Sequence, residues 1–554
     1  MKHTGIAILK GVIALVLLNA IAGFVYTRFD LTEDKRYTIS DAASQMLDKF
    51  DSPVIIDILL KDGLPAEFIK LKTETKQILE EFATQNKNIK FNFVNPLEDV
   101  EQASTVIGEL QALGLTPANI TVEDNGKVSQ EVIFPWAMVN YNNKTVKVPL
   151  LKNKLGTTTE ERVNNSVQHL EFAFADAFNR LTITEKKRVA ILKGNGELED
   201  IHLADYLTTI RDYYNIGAIT LDSVASNPQK VLDQLKDFDL AIIAKPTQAF
   251  TDAEKYIMDQ YIVNGGKSVW LIDQVAMELD SLFNESGTSY AFPRDLNLKD
   301  FFFEYGVRFN PVLVKDLYFT QIVLAAGEGN GSKYNPVPWY YNPMVFSRNN
   351  HPINNNLEAL RLQFTGNIDT LKNNNKKTVL YQSSPLSTVE GTPRQISLNV
   401  VKNPPNKEHF TKGNQFLAVL IEGEFSSAYT NRIKPLKLQG EKEKGSTNKM
   451  LVIADGDLIK NQTKNGRPLE LGYDKWTNNF YGNKEFLINS VNYLLDDTGL
   501  INIRNKKVSI PFLDQEKIVE QKTKWQVINI GVPVGITLLF GLFFNYYRKR
   551  KYGR

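Results

Sequence analysis

The chain contains no cysteine in 554 residues. That absence excludes disulfides, cysteine-ligated zinc or iron–sulfur sites, thiol catalysis and a lipidated N-terminal cysteine. Without disulfides, an exported domain fits a bacterial periplasm better than a eukaryotic cell surface. Histidine is also scarce. His3, His169, His202, His351 and His409 show neither H-x-x-H nor H-E-x-x-H spacing, so no zinc hydrolase pattern is present. There is no G-x-S-x-G elbow and no recognisable catalytic pair. A net charge of only +2 supplies no strong field for nucleic acid or an acidic substrate. Gly265-Gly-Lys-Ser268 ends like a phosphate-binding P-loop, but the required first glycine falls on Tyr261, so the chain is not itself an ATPase.

Charge is missing again from Val527 to Phe544, and there its absence is positive information. A helix of that length roughly matches a hydrocarbon core of about 30 Å. Trp525, Tyr546 and Tyr547 suit the headgroup layer, and Arg548, Lys549, Arg550, Lys551 and Arg554 predict a cytoplasmic end. A second apolar run, Ile6 to Tyr26, is interrupted by Lys10 and Asn19. Lys10 lies about one turn inside, so its stem can carry the ammonium back to the interface. Ala20 and Ala22 loosely imitate a signal-peptidase site, but the run is longer than an ordinary signal core and reads as an uncleaved anchor. Both termini are then cytoplasmic and the bulk of the chain is periplasmic, held at the inner membrane.

Some five hundred residues between the anchors exceed one core and predict separate domains. The reading is an N-terminal transmembrane anchor over 1–27, a first periplasmic α/β domain with its connecting helix over 28–185, and a doubly wound α/β domain over 186–504. A linker over 505–524, a transmembrane helix over 525–547 and a basic tail over 548–554 follow. In the first domain the order is strand (Val54 to Leu60), helix (Pro65 to Ala83), strand (Ile89 to Val94), helix, then antiparallel strands, including Gln130 to Tyr141 and Thr145 to Leu150 joined at Asn142-Asn143. This is a thioredoxin-like order without a C-x-x-C, hence a scaffold or docking domain. The connecting helix, Thr159 to about Leu181, repeats Val163, Val167, Leu170, Phe174 and Phe178 at spacings of three and four. From Val189 to Ile272 strands and helices alternate, which predicts a parallel sheet covered on both faces. An irregular insertion, about 310–440, is rich in Gly, Pro and Asn. The apolar strand Met450 to Ala454 and the helix Lys484 to Leu495 then return to the same sheet.

Candidate sites are few. Gly194, Asn195, Gly196 and Glu197 sit where the first wound strand ends, the place where such folds bind ligands; the pattern is a tight turn or a ligand contact. Asp455 and Asp457, in a glycine turn after a strand, could ligate a cation or simply make the turn; no metal site is assigned. The Trp339 to Tyr341 cluster is a loop anchor, or a surface that stacks on a sugar or a partner. In the last helix Gly531, Pro533 and Gly535, and in the first Ala7 and Gly11, offer small faces for packing against membrane helices.

Phe29-Asp-Leu-Thr-Glu-Asp-Lys-Arg-Tyr-Thr-Ile-Ser40, Gly63-Leu-Pro65, Lys193-Gly-Asn-Gly-Glu197, Tyr261-Ile-Val-Asn-Gly-Gly-Lys267, Asp455-Gly-Asp457 and Gly482-Asn-Lys-Glu-Phe-Leu-Ile-Asn-Ser-Val-Asn-Tyr-Leu-Leu495, in that order between two anchors, resemble the GldG family of gliding-motility-associated ABC transporter proteins of Bacteroidota. The resemblance covers essentially the whole chain. It implies a non-enzymatic auxiliary subunit without cofactors, bound to a multi-span permease and, through it, to a cytoplasmic ABC ATPase, with an envelope gliding component as a further partner. It also implies a wound domain shared with intraflagellar-transport proteins and related in fold to class I glutamine amidotransferases, whose cysteine nucleophile is missing here. The alternatives are a periplasmic module binding a sugar or other small molecule, and a membrane-tethered hydrolase.

Overall fold

The computed structural model describes residues 11–19, 30, 38–99, 101–124, 127–152, 155–326, 333–402, 405–506 and 515–553. Contacts divide the chain into two compact units, Met1–Lys507 and Val508–Arg554. The first unit holds two main sheets. In the smaller, β1 (Val54–Ile58) lies between β2 (Ile89–Phe93), which is parallel to it, and β3 (Trp136–Tyr141), which is antiparallel; β4 (Lys144–Pro149) completes the sheet. Asn142 and Asn143 take φ of 45° and 61°, the left-handed pair that a two-residue hairpin of this kind requires. The single strand expected from Gln130 to Tyr141 is two: Lys127–Ile133 pairs with Ala118–Asp124, and the chain changes sheet before β3. Pro135, between them, has no N–H to continue a ladder.

Helix α1 (Asp41–Leu47) starts at Ser40, whose hydroxyl accepts from the Ala43 amide, and α2 (Ala66–Gln85) links β1 to β2. After a short helix, α3 (Ala103–Ala112), comes α4 (Thr159–Thr182). Thr158 and Glu161 close a reciprocal capping box at the start of α4. All five residues of its periodic stripe are buried. Phe178 meets Phe50 and Phe82 edge-on, each with ring centroids 5.4 Å apart. That contact fastens α4 to the first sheet's layer.

The larger sheet has seven strands. They are β5 (Arg188–Lys193), β6 (Asn215–Thr220), β7 (Leu240–Ala244), β8 (Lys267–Leu271), β9 (Lys376–Gln382), β10 (Phe416–Ser426) and β11 (Lys444–Ile453), in spatial order β9-β10-β11-β8-β7-β5-β6. The five from β11 to β6 are mutually parallel; at one edge β10 pairs antiparallel with β11, and β9 antiparallel with β10. Taken in chain order, the parallel strands stand as 2-1-3-4-5, one of the orders of doubly wound sheets. Every residue of β7 is buried, as expected where helices cover both faces. Alternate residues feed two cores: Leu192, Ile243 and Trp270 on one side, Ile191, Ile242 and Leu271 on the other. The helices between the strands are α5 (Asp200–Ile210), α6 (Pro228–Lys236) and α7 (Asp252–Val263), followed by α8 (Lys299–Glu304) and α9 (Asn483–Leu495).

The insertion is more ordered than its composition predicts. It contributes β9 and β10, and its smaller ladders join distant segments, Val307–Asn310 to Asn367–Thr370 and Val312–Asp316 to Ser387–Gly391. Loop-forming residues lie between strands whose partners are remote in sequence, so local pattern conceals the pairing.

In the second unit α10 (Gln515–Tyr552) runs without a break past both ends of the apolar run. The stretch read as a linker is therefore helical from Gln515, and the basic tail is helical to Tyr552. Glu, Gln and Lys in these flanks are good helix formers. Among the described residues, one helix, within Gln521–Tyr552, is long and apolar enough to cross a membrane, and none of it is buried. Residues 11–19 are helical and exposed; the rest of the N-terminal apolar run, Ala7 included, lies outside the described residues.

Candidate functional site

In the wound sheet the chain steps from β5 outward to β6 and then back to β7 on the other side of β5. Such a reversal leaves a crevice at the C-terminal ends of the two strands, where ligands of this architecture bind. The turn Gly194 to Glu197 stands there, after β5. Gly194 and Gly196 have φ of 114° and 71°, which suits glycine, and side chains of Asp222 and Thr247 crowd the two positions. The Asn195 carbonyl accepts from the Thr247 and Gln248 amides, both at 2.9 Å. The Asn195 amide donates to the Glu197 carboxylate at 2.8 Å, so an acidic side chain of the chain itself takes the donor that a phosphate cradle would offer. Burial raises the Glu197 pKa, against the pull of its own amide, the Asn195 amide and Lys193.

The adjoining strand ends carry a stronger constellation. Lys245 follows β7, Asp273 follows β8, and Asp455 and Asp457 follow β11; all four are buried. Lys245 has φ of 57°, a left-handed conformation costing a non-glycine residue about 1–3 kcal/mol. Its ammonium lies 2.6 Å from Asp457, 2.6 Å from Glu278 and 3.4 Å from Asp273. A Cβ at Gly456 would stand 2.5 Å from Lys245 Cγ, so glycine there is a matter of space. The Gly456 amide donates to Asp273 Oδ1 at 2.6 Å, and the Gln363 amide to Asp455 Oδ2 at 2.6 Å. Asp455 Oδ1 is buried with no hydrogen-bond partner.

These surroundings separate the charge states. Burial works against the Lys245 charge, but Asp457, Asp273 and Glu278 raise its pKa overall. Burial alone would raise Asp457; Lys245 and then Lys460 hold it below the ordinary carboxylate value. Asp273 is pushed up to about 6 by burial, despite Lys245 and with help from Asp457. Asp455 is raised well above the usual range by burial and by the charges of Asp273 and Asp457. Asp273, Glu278 and Asp457 bring carboxylate oxygens within 4.8 Å of one another, as metal ligands would. The Lys245 ammonium reaches all three and serves as their cation.

Beside this cluster a cavity of about 250 Å³ opens among Glu278, Phe283, Gln363, Asp457, Lys460 and Trp476, with Arg361 and Asp474 in its wall. Of the other residues that the sequence suggested, Trp339, Tyr340 and Tyr341 are buried, so that cluster anchors the insertion and presents no stacking surface. Gly531 and Gly535 lie on exposed α10, with nothing within 4 Å of a Cβ at either position; Gly11, in the 11–19 helix, is likewise open. Pro533 is interior to α10, and its carbonyl accepts from the Thr537 hydroxyl at 2.8 Å. Lys245, Asp273 and Glu278 were not legible as site residues. The available signal was position: Lys245 and Asp273 are the first charged residues after apolar strands of a wound sheet.

A doubly wound sheet with a charged, cavity-bearing C-terminal edge, in a chain that also carries a candidate membrane helix, defines a membrane-associated α/β protein. Its residues 186–490 match the family described as an ABC-type uncharacterized transport system, and the chain belongs to that family. Residues 33–140 match a domain of unknown function, DUF7088. Comparison with curated proteins gives no match. Among solved structures, the mmIFT52 N-terminal domain aligns over 58% of this chain and 100% of its own, at 11% identity and a TM-score of 0.32.

Proposed function

We propose that the protein is a non-enzymatic subunit of an ABC-transporter complex, anchored at the inner membrane by the apolar segments near both termini, with residues 28–524 periplasmic. It links a multi-span permease, and through it a cytoplasmic ATPase, to envelope machinery of the gliding type. The thioredoxin-like first domain docks partners, and the doubly wound domain, flavodoxin- or amidotransferase-like in its winding, forms the rigid outer body.

Family membership supports the transporter association, and one contact supports attachment at both ends. Glu171, on α4, accepts from the Ser40 amide at 2.7 Å through one oxygen and from the Lys506 ammonium at 2.6 Å through the other. Lys506 also donates to the Thr38 carbonyl at 2.7 Å. The stretch that follows the first apolar run and the stretch that precedes α10 thus meet on one carboxylate, as two stems rising from one membrane would. Arg504, buried, binds Glu485 and the carbonyls of Pro352 and Asn355, fixing the second stem to the wound domain. A protonated Lys245 held among three carboxylates is neither a nucleophile nor a base.

The test is a mild-detergent pulldown from native membranes of the full chain beside one ending at Lys524. Recovery of a permease and an ATPase by the full chain, and their loss from the shortened one, is expected. Failure of the full chain to bring any membrane partner overturns the proposal.

A further inference from the structure

We propose that the cavity at the C-terminal edge of the wound sheet binds a neutral saccharide. Arg361 lies 3.4 Å from Asp474, Lys460 lies 3.5 Å from Asp457 and 3.7 Å from Glu278, and Lys475 donates to the Thr463 carbonyl at 2.8 Å. Asp457 and Glu278 also hold Lys245. An anion would have to draw a cation away from an existing partner, and a metal cation would compete with the Lys245 ammonium. Displacing the Lys245 ammonium would break a buried pairing, and the cations nearer the mouth already have partners.

The same pairing turns most of the wall into an array of oriented donors and acceptors; the further lining carboxylate, Asp280, is exposed, where water screens its charge. Gln462 donates to Asp474 at 3.1 Å and accepts from the Lys475 amide at 3.0 Å. Gln321 and Gln363, also in the lining, add amides that can both donate and accept. Such a wall suits a ligand whose hydroxyls do both. Phe283 and Trp476 line the same cavity with 55% and 53% of their surface exposed, and Tyr334 stacks on Trp476 with centroids 5.9 Å apart. Half-open aromatic rings beside a polar wall whose cations are already paired match a sugar ring, which has apolar C–H faces and a polar rim. A purely apolar ligand would leave the wall's polar groups unpaired.

The inference is independent of the permease reading: a failed pulldown leaves it standing, and a silent cavity leaves the pulldown meaningful. The full chain, reconstituted in lipid nanodiscs so that no glycosidic detergent is present, is applied to a glycan array carrying neutral, acidic and phosphorylated saccharides. Dense display makes weak contacts visible through multivalency. Neutral glycans are expected to be retained. Trp476→Ala and Phe283→Ala should each weaken retention about tenfold, while Tyr290→Ala, at an exposed ring outside the cavity, leaves it unchanged. The inference is overturned by retention of no neutral glycan, by preference for acidic or phosphorylated ones, or by Trp476→Ala binding as the parent does. Equal loss in Tyr290→Ala also overturns it.

Discussion

Replacing Lys245 by methionine removes the ammonium and keeps most of the stem. Asp273 and Asp457 would then share a buried site with Asp455 and no internal cation, because Lys460, 30% exposed, is 3.5 Å from Asp457 and pairs with it from the rim. Glu278 is 43% exposed, so water screens its part and it adds little. Two buried pairs remain, and removing one partner of a buried pair costs about 3–5 kcal/mol. The pH dependence provides the signature. In the parent, Asp457 lies below its unfolded pKa, so its contribution is present at neutral pH and is lost as pH falls through the folded value. Asp273, raised to about 6, binds its proton more tightly folded than unfolded, so it favours unfolding as pH rises from about 4 to about 6. In Lys245→Met both carboxylates are raised. The deficit should be greatest near pH 7.5 and shrink towards about pH 4.5, where the folded variant takes up protons. Urea titrations followed by tryptophan fluorescence, with hydrogen exchange read at β8 and β11, measure it locally. A loss under about 1 kcal/mol near neutral pH, within the range of surface pairs, or a deficit that does not shrink on acidification, would refute the assignment of Lys245 as the cluster's cation.

Three further outcomes follow from the same geometry. Gly456→Ala, which places a methyl group 2.5 Å from Lys245 Cγ, should lower stability by about 1–3 kcal/mol, and Lys245→Ala in the same chain, which removes that Cγ, should relieve part of that penalty; a double-mutant cycle reads the coupling. Phe178→Ala empties a fully buried position between Phe50 and Phe82 and should cost about 3–5 kcal/mol, with exchange rising in α4 and β1 by mass-spectrometric readout. His351 is held down to about 4 by burial, with Lys376 and Lys449 opposing its charge and Glu422 favouring it. Its Nδ1 accepts from the Ile353 amide at 3.3 Å. The imidazole should therefore remain neutral in NMR titrations through about pH 5, and its contribution to stability should decline as pH falls from about 6.5 towards about 4.

Much of the fold was open to inspection wherever a segment's neighbours in space are also its neighbours in sequence. The α4 stripe, the capping residue Ser40, the Asn142-Asn143 turn and the alternation from β5 to β8 depend on local propensity and period. The antiparallel strand β10, second from the sheet's edge, was visible as an apolar run, but its partners and direction were not. The Asp455-Gly-Asp457 turn was likewise visible, yet its meaning was hidden: the residues that give those carboxylates their charge states come from the ends of β7 and β8. The aromatic cluster at Trp339 to Tyr341, read as a loop anchor or a stacking surface, is core, and the sequence left the two readings open because aromatic side chains in a proline-rich segment look the same whether other segments cover them or not.

By itself the sequence determined the chemistry that is excluded here and the elements that are present. Composition removed thiol chemistry, and period and run length defined helices, strands and an uncharged segment long enough for a membrane, because each depends only on nearby residues. Tertiary structure alone decided which strand ends lie side by side. It placed the Lys245 ammonium among three carboxylates, brought Ser40 and Lys506 onto Glu171, and left Trp476 half-exposed in the wall of a cavity whose cations are paired. Those outcomes rest on distances between residues separated by tens to hundreds of positions, which only the packed sheet establishes.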